Sequence, residues 1–469
     1  MRYPPAPPVA ALLAAVLLAP AAVEAQEYYA DVRPVLAKEC MGCHSEDGIA
    51  WSMEDPEETF EERRRIAGAV TVRQMPPWLA EPGHQEYVGD MSLDEEVVGM
   101  VAAWRDAGYP KGEPRPDPEV EPANAPPTFR ADLSTDVLGD TPYLPDQSMD
   151  DDYRCFVTEW TAEDRGYVTG FRTVPGNENV AHHTVVYAVD PEMVERFREL
   201  EDEEEGQGYQ CFGGALPDRL SERAEREAYE ARYPDGVREL SRASWWLAHW
   251  APGMDGHTFP EGTGIRMEPG AALVVQMHYY SVEAPGEADR DTRLDFQFEA
   301  EVEKPAFHLP QTHGPWLNSG RNGTMVIPPE EQATYEVSDE LSSLVGYASR
   351  ITDVDEARIE GFEIHSANLH MHAFGHSGVI SLTDADGRYQ TLLSVPEWDL
   401  HWQRDFTFVE PKVFSREKMD GAELRVRCTY ENPTDEVVYG GYGSYDEMCF
   451  NFSYIALQVG EQATDGAGH

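Results

Sequence analysis

Cationic side chains are scarce in this 469-residue chain: 36 Lys and Arg stand against 87 Asp and Glu, a formal net charge of −51. A surface this acidic repels nucleic-acid phosphates and anionic lipid, which excludes both as partners. The charge suits a solvated surface in a saline habitat, or the steering of a cationic substrate or a basic redox partner protein. Long apolar runs are equally scarce. The only one lies within residues 1–25, where Arg2, an Ala/Leu/Val run and Val23-Glu24-Ala25 have the form of a secretory signal peptide. The run is short and alanine-rich for a membrane span, so an uncleaved anchor is the lesser alternative. The expectation is an exported protein, periplasmic or secreted, with no membrane span in the mature chain.

Cysteine is rare as well, at six residues. Cys40-Met41-Gly42-Cys43-His44 is a CxxCH sequence, whose thiols can form thioethers with haem while the imidazole becomes an axial iron ligand. A redox CxxC or half a zinc site would need a second cysteine pair or a βαβ pattern nearby, and neither is present. Haem c is therefore expected at Cys40, Cys43 and His44. Met75, in Gln74-Met75-Pro76-Pro77-Trp78, is the first choice of distal ligand, and Met91 the second. The flanks carry Ser92-Leu93-Asp94-Glu95 as a capping box, then Leu93, Val97, Val101 and Trp104 as an apolar stripe. Residues 27–112 resemble cytochrome c. Cys155, Cys211, Cys428 and Cys449 remain, and these allow three pairings. Cys155 with Cys211 and Cys428 with Cys449 are favoured, because each pair then lies within one expected domain.

Helical periodicity is almost absent after a Pro- and Glu-rich linker at 113–145. Short runs rich in β-branched and aromatic residues recur between Gly, Pro, Asn and Asp clusters, as in Tyr167 to Thr173, Ala271 to Tyr280 and Phe450 to Val459. That pattern indicates antiparallel sandwiches. The length suggests two, at 146–302 and 303–460, followed by a tail at 461–469. The expected fold class is thus multidomain: a small all-α cytochrome c-like domain followed by two all-β jelly-roll-like sandwich domains. Residues 193–246 are charged and helix-favouring, and are expected to be a peripheral insertion.

Three histidines in the first sandwich stand out: His182-His183, then His278 in Gln276-Met277-His278-Tyr279. Adjacent strand residues face opposite ways, so His182 and His183 can share a metal only at a strand end or bulge. Pro175, Gly176 and Asn177 permit such an irregularity. Three imidazoles suit copper or zinc equally. In the second sandwich, His370 and His372 of Asn368-Leu369-His370-Met371-His372 would project to one side of a strand. Met448, in Asp446-Glu447-Met448-Cys449, offers a thioether that favours Cu(I). His84, His249, His257, His313, His365, His376 and His401 are expected to be surface or structural residues, although His308 and His313 lie close enough in sequence for an accessory site.

The order HH, QMHY, HxH and DEMC, with Asp152-Tyr153-Arg154-Cys155 and Val326-Ile327-Pro328-Pro329, resembles the copper type II, ascorbate-dependent monooxygenases. This is the family of the peptidylglycine α-hydroxylating and dopamine β-monooxygenases. The resemblance implies two copper ions, one held by His182, His183 and His278 for electron transfer, and a catalytic one held by His370, His372 and Met448. It also supports both bridges, since the family joins a Cys upstream of the DEMC motif to the Cys within it, here Cys428 and Cys449. Two departures bear on the substrate. The peptide-amidating enzymes hold a substrate carboxylate with an Arg and a Tyr where this chain has Asn368 and Phe452. These two residues are expected to line the substrate pocket, and a neutral or cationic small organic molecule fits it better than a carboxylate.

The implied activity is hydroxylation of a C–H bond with O2 as co-substrate. Ascorbate or a periplasmic donor would supply electrons, relayed by the fused haem. The rival from another class is a non-catalytic haem and copper electron carrier or copper-binding protein. A third reading, reduction of a small inorganic molecule at copper, fits the methionine-bearing site less well.

Overall fold

The computed structural model describes residues 26–460 except 47, 49, 124–128, 212, 252–253, 255, 283, 318–322, 442 and 444. The expected signal peptide and the expected tail lie outside the described residues. The chain divides into two compact units, residues 1–76 with 93–123, and residues 77–92 with 124–469.

The first unit carries short helices at Arg33–Glu39, Pro56–Glu61, Arg63–Thr71 and Glu95–Asp106. They close on a small core of Tyr28, Val32, Leu36, Ile66, Val101 and Trp104. Local sequence sets their starts. Pro56 opens its helix with its ring already at a helical φ, and the Asp55 carboxylate accepts from the Glu57 and Glu58 N–H groups at 2.8 and 2.9 Å. The helix anticipated from Ser92 begins later, with Asp94 as its N-cap. It stops where Gly108 takes a φ of +83°, a value that favours a residue without Cβ. Arg33 is buried and ties the unit together, donating to the Met53 carbonyl at 2.6 Å, to the Glu54 carbonyl at 2.9 Å and to Asp117.

Among the described residues, the second unit is built from four sheets. A ten-stranded sheet follows the order Leu133–Asp136, Arg293–Glu299, Gly166–Val174, Thr263–Met267, Lys304–Gln311, Phe450–Val459, Ile359–Ala367 and Phe406–Ser415, with two short strands off this path. A five-stranded sheet has Ala272–Tyr280 at its centre, between Asp151–Glu159 and Ala181–Val189. A four-stranded sheet runs Gln332–Glu340, Glu423–Glu431, Gly375–Thr383 and Tyr389–Val395, and a two-stranded ribbon completes the unit. The central strands are buried along their length, Ala272–Tyr280 on both faces, so they read as continuous apolar runs rather than alternating ones.

Residues 77–92 dock here. Tyr87 donates its hydroxyl to the Leu392 carbonyl at 2.7 Å and packs on Phe406 and Phe408. Disulfides join Cys155 to Cys211 and Cys428 to Cys449. Residues 194–242 form three helices over a separate apolar cluster that includes Phe197, Leu200 and Tyr229.

The expected fold class needs correction on two points. The chain is mostly β and sandwich-like, and its few N-terminal helices, six to twelve residues long, form no clear all-α cytochrome c-like domain among the described residues. One amphipathic stripe and a CxxCH motif specify local features, not the packing of a whole domain. Nor are there two separate sandwiches. Lys304–Gln311 pairs in parallel with Thr263–Met267 and antiparallel with Phe450–Val459, so one sheet runs through both halves. Strand pairing between distant segments leaves no mark in composition or periodicity, and the sequence reading placed a break where the sheet is continuous. Among the described residues no helix is long and apolar enough to cross a membrane.

Candidate metal centres

The strand Ala181–Val189 pairs with Ala272–Tyr280, and its register shifts between Ala181 and His183. His182 occupies that irregularity, so two adjacent residues turn their rings the same way. His183 stands directly across from His278. Three Nδ1 atoms converge: His182 and His183 each lie 3.1 Å from His278, and 3.4 Å from one another. These are the only three His, Cys, Asp or Glu side chains among the described residues whose ligand atoms all approach within 4.8 Å.

The donor set fits a metal. Three nitrogens about 2.0 Å from one ion, in tetrahedral directions, would be roughly 3.3 Å apart. The tautomer fits too, because His278 Nε2 donates to Asp151 Oδ1 at 2.8 Å and so leaves Nδ1 bare. Burial, then the neighbouring His278, pushes His182 down to about 3, and His183 is likewise driven well below its ordinary value. Neutral imidazoles whose Nδ1 atoms converge on one point are ligands in form. Tyr153 stacks on the far side of His278, with ring centroids 4.1 Å apart and planes within 5°.

The second cluster is assembled differently from the expected strand alternation. Only Leu369–His370 is strand, paired with Asn451 and Phe450, and His372 lies beyond it where the chain turns. The turn brings the rings to 5.2 Å between centroids, nearly perpendicular at 89°. Glu447, fully buried, organises it. Its carboxylate accepts the backbone N–H groups of His372 at 3.0 Å, Phe374 at 2.6 Å and Met448 at 3.2 Å. One side chain thereby pins the His370–His372 segment against the loop that carries Met448. Burial raises the Glu447 carboxyl against the downward pull of those backbone donors, and N–H groups aimed at both of its oxygens keep it a carboxylate.

Both rings have their tautomers set by partners. His370 Nδ1 donates to Gln403 Oε1 at 2.5 Å, and His372 Nδ1 donates to the Asp446 carbonyl at 3.1 Å, which leaves Nε2 of each ring to accept a metal. Burial above all lowers His370 to about 3 and His372 to about 4. Met448 is nearly buried beside Phe450 and Phe452, and the Tyr430 hydroxyl donates to its carbonyl at 2.6 Å. His183, His370, His372 and Met448 all line one cavity of about 500 Å³, whose walls include Trp246 and Phe452.

Residues 321–462 match the family of copper type II ascorbate-dependent monooxygenase C-terminal domains. The chain is also similar to the dopamine beta-hydroxylase of Homo sapiens, 24% identical over 321 residues that make up 66% of this chain and 44% of that one. Against the dopamine beta-hydroxylase of Canis lupus familiaris the identity is 21%, over 78% of this chain and 52% of that one. These matches support the copper type II monooxygenase family. The family depends on copper, and the three-histidine cluster is of a kind that can hold it. The chain spans about half the length of the curated relatives it matches. Among solved structures, one of PNGF-II aligns with 72% of this chain and 66% of its own at 9% identity and a TM-score of 0.28, too slight a likeness to bear on fold or function.

The other expected site residues fall as follows. Cys40 and Cys43 are in no disulfide, and His44 Nδ1 donates to the Trp51 carbonyl at 2.8 Å, leaving Nε2 to face outward from that bond. Met75 is half-buried, with its N–H bonded to the Ala69 carbonyl at 3.2 Å. The Met91 thioether, in the second unit, accepts from Arg404 at 3.6 Å. Asn368 and Phe452 line the cavity.

His308 and His313 are not brought together: His313 packs on Trp316, and His308 on His249, Phe259 and Tyr454. Nor is His249 a bland residue. It sits in the cavity wall and pairs through Nε2 with the buried Asp405 at 3.1 Å. Asp151, Gln403, Asp405 and Glu447 escaped the sequence reading. Only Glu447, inside the DEMC motif, carried any signal there.

Proposed function

We propose that this chain is a copper-dependent monooxygenase that hydroxylates a C–H bond of a small organic molecule with O2, in the cavity shared by the two histidine clusters. One observation carries the proposal: His183 of the first cluster and His370, His372 and Met448 of the second line the same cavity. In this reading His182, His183 and His278 hold an electron-transfer copper, and His370, His372 and Met448 hold the catalytic one. Copper bound there supplies one-electron chemistry and a site for O2, and the soft thioether favours the reduced ion.

The chain's own residues do the rest. Asp151 and Gln403 keep His278 and His370 in the tautomers that point a bare nitrogen inward. Glu447 fixes the spacing between His372 and Met448. Trp246, Phe450 and Phe452 give the substrate an apolar wall and thin out the water around the reacting bond. Neither Asn368 nor Phe452 offers a substrate carboxylate a cation beside the second cluster, and Arg350, also in the cavity lining, donates to the Arg242 carbonyl, which favours a neutral or cationic molecule next to His370.

Cys40, Cys43 and His44 are proposed to hold a haem c by two thioethers and one axial imidazole, with Met75 as the distal ligand. That haem would pass electrons from ascorbate or a periplasmic donor protein. The expected disulfides are present and fit a chain exported to the periplasm or secreted.

The test is metal stoichiometry with absorption spectroscopy. Full-length protein loaded with copper should hold two coppers per haem iron, and Met448→Leu should remove the Cu–S scattering while the first copper stays bound. Two coppers without substrate-dependent oxygen uptake, across a screen of neutral and cationic organic molecules, would leave an electron carrier. One copper or none would refute the six-ligand assignment.

A further inference from the structure

In the cavity wall, with Asp405 behind it, four side chains form a continuous hydrogen-bonded chain. The Trp246 indole N–H donates to His249 Nδ1 at 3.3 Å. A neutral imidazole that accepts at Nδ1 carries its proton on Nε2, and His249 Nε2 lies 3.1 Å from Asp405 Oδ2, to which it donates. The other Asp405 oxygen accepts from Asn368 Nδ2 at 3.0 Å. The Asn368 amide nitrogen also lies 3.3 Å from His249 Nε2, but a protonated Nε2 has no lone pair to offer it.

Asp405 is therefore the group that decides which way the Asn368 amide faces. It is an acceptor only as long as it is ionised. Burial raises its carboxyl, but the His249 imidazole, with His257 and His308 behind it, outweighs burial and holds it below the usual carboxylate range. A flipped amide would put two oxygens about 3 Å apart with no proton between them, a repulsive contact inside a low-dielectric wall. With the nitrogen turned to Asp405, Oδ1 is the remaining end. It takes no hydrogen bond among the described residues, and it is not one of the fully occluded unpartnered atoms, so it keeps access to the cavity that Asn368 lines. Asn368 stands two residues before His370, and its own carbonyl is tied to the Phe452 N–H at 2.9 Å. The amide is thus fixed next to the second cluster.

We propose that Asp405 is a positioning residue that sets the polarity of the pocket beside His370: it holds the Asn368 amide with its oxygen toward the cavity, so that the pocket selects a substrate carrying a hydrogen-bond donor, a hydroxyl or an amine N–H. The inference rests on the proposed function only in taking this cavity as the substrate's. It makes Asn368 a specificity determinant through an acceptor, where a guanidinium would be a donor.

The experiment uses two uncharged probes of similar shape, benzyl alcohol and benzyl methyl ether, titrated calorimetrically into copper-loaded full-length protein, with oxygen uptake recorded in parallel. The wild type should bind the alcohol about tenfold more tightly than the ether, the scale of one well-placed hydrogen bond. Asn368→Leu should bring the two to near equality at unchanged copper content. Should that variant fail to fold, Asp405→Asn carries the test, because an amide in place of the carboxylate no longer dictates the orientation of Asn368.

A purely structural role for Asp405 would weaken both probes together and leave their ratio intact, and that result overturns the proposal. So does a wild type that binds the ether as well as the alcohol, or binds neither. Selection of the alcohol without oxygen uptake would sustain the pocket's polarity and remove the monooxygenase reading. Oxygen uptake without selection would do the reverse.

Discussion

Replacing Glu447 by Gln changes one oxygen to an NH2 group, with almost no change in volume, in a side chain that has no solvent exposure. In the native protein the carboxylate accepts the backbone N–H groups of His372 and Met448 at Oε2 and that of Phe374 at Oε1. A glutamine can keep its oxygen at one of these positions only. Its better orientation keeps the oxygen at the Oε2 position and leaves two buried donors, the Phe374 N–H and the new NH2 group, facing each other without acceptors. A buried donor left without a partner costs about 1–3 kcal/mol, so the variant should lose about 2–5 kcal/mol of stability in the second unit. Because the broken bond anchors the turn that follows His372 to the loop carrying Met448, copper bound at the proposed second site should be lost in preference to copper bound at His182, His183 and His278.

The assay is urea unfolding of the copper-free protein, followed by near-ultraviolet circular dichroism, with copper counted after dialysis against a weak chelator. A loss below about 1 kcal/mol with both coppers retained would show that Glu447 does not organise the site.

Three further outcomes are expected. Met448→Leu should leave the copper of the first cluster in place and remove sulfur from the X-ray absorption spectrum of the reduced protein, and persistent sulfur scattering would assign the thioether elsewhere. Replacing both Cys428 and Cys449 by Ser opens a loop with a sequence separation of 21, which should destabilise the second unit by about 3 kcal/mol in thermal unfolding. A change within error would mean the surrounding sheet already restrains that loop.

The third concerns Asp295, which is buried and accepts from Ser134 at 2.7 Å, from Arg293 at 2.9 Å and from Arg172. Burial raises its carboxyl, but the arginines outweigh it and hold it below the usual range. Its contribution is therefore complete above the unfolded-state pKa of about 3.9 and is lost as pH falls through the lower folded value. Wild-type stability should decline more steeply below about pH 4 than that of Asp295→Asn, and parallel curves would refute the argument.

Much of the second unit could be read from the sequence because it rests on short-range signals. The β-branched runs and turn residues mark strands, and the bulge that turns His182 and His183 the same way follows from two adjacent histidines beside Pro175, Gly176 and Asn177. The expected pairing of Cys155 with Cys211, and of Cys428 with Cys449, is the one observed. His370 and His372 come together as expected, but by a turn held on Glu447 rather than by alternation along a strand. A backbone N–H bound by a carboxylate 75 residues away leaves no local trace.

The sequence by itself determined which imidazoles, thioether and thiols the chain carries as candidate donors, and its excess of acidic over basic side chains. Tertiary structure alone decided three things. One sheet runs through both β halves instead of dividing at residue 303, since a parallel pairing between Lys304 and Thr263 depends on where two distant segments meet. Both histidine clusters line one cavity, since a cavity is the space left by packing and belongs to no segment. Asn368 presents oxygen rather than nitrogen to that cavity, since an amide has no preferred face until a buried neighbour such as Asp405 can only accept.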